Sequence, residues 1–102
     1  MTYHDKRFHD PSHSWTIVPI KRLIKLGIAD KISAYSFIRG IYAYLEEDQD
    51  LTLYVNTLNS KGHGVEFKNF YGKNRSRIRN YNHYHIDKSG CIYSECSCDL
   101  FN

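Results

Sequence analysis

The chain reads as a small α+β domain: one antiparallel or mixed sheet with a short and a longer helix packed on one face. Three observations carry that expectation. Ile20, Leu23 and Ile24, and then Leu51, Tyr54, Val55 and Leu58, follow the i, i+3, i+4 spacing of helices. Residues 32–38, 41–45 and 65–71 are rich in β-branched and aromatic side chains, and glycine-containing turns punctuate these stretches. At 102 residues, 41% of them hydrophobic, the chain is long enough for a single core without obligatory disulfides or metal.

The elements follow in order. Residues 1–14 hold His4, His9 and His13 among charges and show no apolar period, so they read as a flexible lead segment before a single domain at 15–102. Residues 15–18 form an apolar entry of strand character. Pro19 stands where a helix favours its first residue and Gly27 where a left-handed cap ends one. Lys21, Arg22 and Lys25 lie off the apolar stripe of that short helix and read as its solvated face. A hairpin through Arg39-Gly40 follows. Tyr35 and Phe37 share a face of its first arm, and Tyr42 and Tyr44 share a face of its second. One of these faces packs on helices; the other is available as an aromatic platform.

The acidic run at 46–50 precedes the longer helix, where the positive end of the helix dipole favours carboxylates. That helix ends in S-K-G-H-G, and the strand at 65–71 is expected to return parallel to the hairpin by a right-handed crossover. Residues 83–86 and 91–93, around the turn at 87–90, read as a final hairpin.

Charge is uneven. Residues 1–50 carry seven Lys+Arg against seven Asp+Glu, and residues 51–102 carry seven against four. The net charge of +3 and a pI near 8.8 fall just short of the guide value above 9 for nucleic-acid-binding domains. Neither a signal-peptide core nor about 18 consecutive apolar residues occurs, so a soluble cytoplasmic protein with no membrane partner is expected. The three cysteines, Cys91, Cys96 and Cys98, are odd in number and crowded at the end, which argues against a secreted disulfide framework.

The stretch with most chemistry is residues 72–85, G-K-N-R-S-R-I-R-N-Y-N-H-Y-H, which contains no acid. As a strand it would set Lys73, Arg75, Arg77 and Arg79 on one face. Tyr81, His83 and His85 continue the same parity. Guanidinium groups pair with phosphate or carboxylate and flat rings stack on bases, so these seven residues form the candidate binding set for nucleic acid or an acidic protein surface. Ile78 interrupts the set and is expected to anchor it. His83, His85, Cys91, Cys96 and Cys98 are candidate metal ligands of the types zinc takes, although their spacing matches no standard finger. Tyr81, His83, Tyr84 and His85 beside arginines also supply the residue types of a metal-independent ribonuclease.

The passage A-Y-L-E-E-D-Q-D at 43–50, together with S-R-I-R-N-Y at 76–81, resembles a pattern of small proteins encoded by bacteriophages and related mobile elements. The resemblance carries no assigned activity. It implies a protein that binds and blocks a host component, defence nucleases included. Three readings result: a non-catalytic binder of nucleic acid or of a nucleic-acid-handling protein, without cofactor, in a phage accessory or counter-defence role; a toxin-like ribonuclease; and a small zinc-stabilised interaction module. A tyrosine-rich face would also suit a homodimer seam.

Overall fold

Six strands make one mixed sheet in the computed structural model, which describes residues 1–74 and 76–85. In chain order the elements are β1 (Thr2–His9), β2 (Ser14–Pro19), α1 (Ile20–Leu26), β3 (Phe37–Arg39), β4 (Tyr42–Glu46), α2 (Gln49–Ser60), β5 (Gly64–Tyr71) and β6 (Asn82–His83). Across the sheet the order is β5-β1-β2-β4-β3-β6. Only β1 and β5 run parallel; every other neighbour pair is antiparallel. The fold is thus α+β, as expected.

Side-chain alternation gives the sheet two unlike faces. Val18, Ile38, Ala43 and Leu45 point to the helical layer, where they meet Ile20, Leu23 and Leu26 of α1 and Leu51, Tyr54 and Leu58 of α2 in the main core. Ile24 is half exposed, because burial in α1 follows 20, 23 and 26. Gly27 has φ +77°, a left-handed position that suits glycine, and its N–H reaches back to close the helix. At the start of α2 the cap comes from Glu46, whose Oε1 accepts from the N–H groups of Asp48 and Gln49 at 3.1 and 3.2 Å. Asp50 turns inward instead, accepting bonds from the Ser33 backbone N–H and from the hydroxyls of Ser33 and Ser36.

Four expectations are corrected. Residues 2–9 are not a loose lead: β1 lies between β5 and β2 and pairs with both. Its sequence lacks an apolar period because Asp5 is buried in the helical layer, where Arg22 Nη1 donates to Oδ1 at 2.7 Å and the Tyr54 hydroxyl donates to Oδ2 at 2.6 Å. Arg22 is therefore no solvated residue. Desolvation opposes its charge, but hydrogen bonds to Asp5 and Tyr54 outweigh that and hold the guanidinium above its ordinary value. In Tyr54, burial and the neighbouring carboxylate push the phenol up, so it stays a donor.

Second, the hairpin turn is Gly40-Ile41, since Arg39 pairs with Tyr42. Gly40 takes φ +58° at the first central position, where a residue with a side chain is disfavoured. Third, β5 runs parallel to β1 along eight residue pairs and does not join the hairpin. Fourth, residues 77–80 form a 3₁₀ turn, not a strand, so Arg77 and Arg79 do not share a face. The expected final hairpin beyond His85, with Cys91, Cys96 and Cys98, lies outside the described residues.

Candidate nucleic-acid interface

The face turned away from the helices can be read row by row from the register. Phe70 and Phe8 are partners across β5 and β1, and Phe8 pairs with Trp15 across β1 and β2. The next row holds Lys68 and Lys6, then Ile17, Tyr44 and Phe37, with His83 at the far edge. The third holds Glu66 and His4, then Pro19, Tyr42 and Arg39. No described helix covers these side chains, although many of them are apolar.

Residues 72–74 and 76–81 partly cover them. Leaving β5, the chain turns at Gly72, whose N–H bonds to the His9 carbonyl at 2.8 Å, and crosses the face. Ile78, where the sequence led us to expect an anchor, is buried against Trp15 and Phe37 in a second, smaller core. Arg79 fixes the crossing from below: Nε donates to Asp10 Oδ2 at 2.7 Å and Nη2 to Oδ1 at 3.1 Å. Asp10 also accepts from the backbone N–H groups of Ser12, His13 and Ser76. The Arg79 bonds, reinforced by those backbone donors against the opposing effect of burial, hold the Asp10 carboxyl well below the usual carboxylate range.

That depressed value has a pH signature. A carboxylate with a lowered folded-state value adds stability that is complete above its ordinary 3.8 and is lost as pH falls below it. Thermal stability of Asp10→Asn should therefore lie furthest below wild type at neutral pH, and the gap should close as the solution is acidified through that range. A gap independent of pH would show that the ion pair adds nothing.

Between the crossing segment and the sheet lies a groove of about 500 Å³. Phe8, Phe70 and Ile17 floor it, Tyr44 and Tyr81 close one side, and His9 and Tyr71 the other. Phe8 stacks on Phe70 with centroids 5.1 Å apart, His9 on Tyr71 at 4.4 Å, and Tyr81 meets Tyr44 edge-on at 5.0 Å. Burial raises the Tyr44 phenol, with Tyr81 adding to the effect, so this wall stays uncharged at neutral pH. Arg77 is exposed on the rim, and among the described residues no carboxylate lines the groove. Lys68 lies 5.6 Å from the Phe70 ring and Arg39 4.9 Å from the Tyr81 ring, cation–π contacts that keep positive charge beside the aromatic surface.

The structure divides the candidate set. Arg77 and Tyr81 line the groove, and Lys73 is exposed beside it. Arg79 is neutralised by Asp10 and leans on Trp15, so it belongs to the scaffold. Arg75 lies outside the described residues. His83 stacks on Phe37 at 5.0 Å with Nδ1 2.7 Å from the Ala34 carbonyl, and His85 Nδ1 lies 3.2 Å from the His83 carbonyl; neither lines the groove. Tyr84 is buried, donating to the Ala29 carbonyl.

Phe8, Lys6, Phe70 and Tyr71 escaped the sequence reading of the site. Phe70 and Tyr71 directly precede the basic segment in the chain, and only β-pairing brings Phe8 and Lys6 beside it. Tyr42 and Tyr44 carried a usable signal, their shared parity on one strand. Of the residues that could hold metal, His4, His9 and His13 face separate partners (Glu66, Asn69 and Glu47), and no cluster of three His, Cys, Asp or Glu occurs among the described residues. No described helix is long and apolar enough to cross a membrane. Comparisons with protein-family models, curated proteins and solved structures return no match.

Proposed function

We propose that this protein binds single-stranded nucleic acid, without catalysis, on the sheet face opposite its helices. One observation carries the reading: a groove walled by aromatic rings, rimmed by Arg77 and, among the described residues, free of carboxylate, on a face that also bears Lys6, Lys68 and Arg39. Rings offer every base a stacking surface, and cations beside them meet the phosphates. A duplex would hide its bases from these rings, which is why a single strand is the better fit. The ribonuclease reading is less well supported, because His83 and His85 do not line the groove with Arg77.

Fluorescence anisotropy with labelled oligonucleotides tests the proposal. Three or four phosphate contacts on a single strand give a slope of log K against log salt of about −2 to −3. Arg77→Ala and Lys68→Ala should each flatten that slope by about 0.7. RNA left intact after incubation in EDTA separates binding from metal-independent cleavage. Absence of salt-sensitive binding to any oligonucleotide would overturn the proposal, leaving a nucleic-acid-handling protein as the target, the context implied by the resemblance to small phage proteins.

A further inference from the structure

The ladder between β1 and β2 runs only from His9↔Ser14 to Arg7↔Thr16. Beyond it the strands part. Residues 2–6 of β1 stay paired to β5, while Ile17, Val18 and Pro19 stay paired to β4. The fork between them holds a second cavity of about 390 Å³. His4 and Lys6 line one side, Pro19 and Tyr42 the other, and the Asp5–Arg22 pair is at its base. Ile17 and Tyr44 line both this cavity and the aromatic groove, so the two are neighbours on one face.

We infer that the fork is a second nucleotide subsite, taking the next base of a strand whose first base lies in the groove; this rests on the function proposed above. Tyr44 and Tyr42 are two residues apart on β4 and share a face, so their rings are offset by about 6.6 Å along the strand, a step that one extended nucleotide can span. Tyr42 is 41% exposed, so its ring face is open to a base. Lys6 on one side and Arg39, the neighbour of Tyr42 on β3, on the other bracket it with positive charge. Asp5, the one acid among the described residues that lines the fork, spends both oxygens on Arg22 and Tyr54, so it does not repel a phosphate as an unpaired carboxylate would, and Glu66 of the same row lies on the far side of His4, 3.6 Å from its Nδ1. Charge complementarity and continuity with the groove thus point to the same occupant, a further unit of the same strand.

A length series of labelled thymidylates and uridylates, one to eight nucleotides long, tests this against Tyr42→Leu. Leucine keeps the apolar body and removes the stacking ring at an exposed position, and circular dichroism checks that the fold survives. The expected result is a loss of about tenfold in affinity for strands of two or more nucleotides with mononucleotide binding unchanged. Equal affinity of wild type and Tyr42→Leu for the long strands, or an equal loss for long strands and mononucleotide, overturns the second subsite and leaves the groove reading standing. Failure of the wild type to bind any member of the series overturns both.

Discussion

The double variant Phe70→Leu, Tyr44→Leu is expected to bind single-stranded oligonucleotide about 100-fold more weakly than wild type. Base–aromatic stacking is worth about 1–3 kcal/mol per base on alanine substitution. Leucine retains part of the apolar contact, so about tenfold per ring is the reasonable share. Phe70 belongs to the floor of the groove and Tyr44 to its wall, on β5 and β4 with two strands between them, so their effects should add. Leucine also keeps Tyr44's place against the smaller core of Trp15, Phe37 and Ile78, which separates lost recognition from lost folding. The salt slope is the second readout. Removing rings should weaken binding at every salt concentration and leave the slope unchanged, whereas Arg77→Ala should alter it. A double variant that binds within twofold of wild type would place the ligand somewhere other than this face.

Asp5→Ala should destabilise the fold by about 3 kcal/mol, the largest effect expected of any single substitution here. The carboxylate is 3% exposed and bonds to both Arg22 and Tyr54. Its removal leaves a guanidinium, 21% exposed, with the Tyr54 hydroxyl and the ring of Tyr3, 4.2 Å away, as its remaining partners. Partial access of water to Arg22 keeps the cost near the lower end of the range for breaking buried pairs. For a domain of this size, that lowers the thermal midpoint by roughly 12–20 °C. Replacing Asp5 and Arg22 together with apolar residues should cost less than Asp5→Ala alone, since no unmatched charge then stays inside. Thermal melts of the two variants in the opposite order would show that packing, not charge pairing, holds this corner. Because Asp5 and Arg22 also form the base of the fork, these melts set the temperature limits for binding measurements on the same variants.

Spacing along the chain was enough to specify both helices, the strands at 15–18, 41–45 and 65–71, and the role of Ile78 as an anchor, because each depends on local periodicity or on a single apolar residue amid polar ones. The α+β class followed. Residues 2–9 resisted such reading, since a strand that buries Asp5 and half-buries Arg7 has no apolar alternation, and the carboxylate is neutralised only by a partner from α1. The basic stretch yielded its composition but not its use. Arg77 and Arg79 are chemically alike and two residues apart, yet one is exposed on the groove and the other is consumed by a carboxylate 69 positions away. A sequence records which charges a chain carries. Which of them are cancelled, and which rings from β1, β4 and β5 share one surface, depends on pairing between segments far apart in the chain, and that was decided only when the sheet assembled.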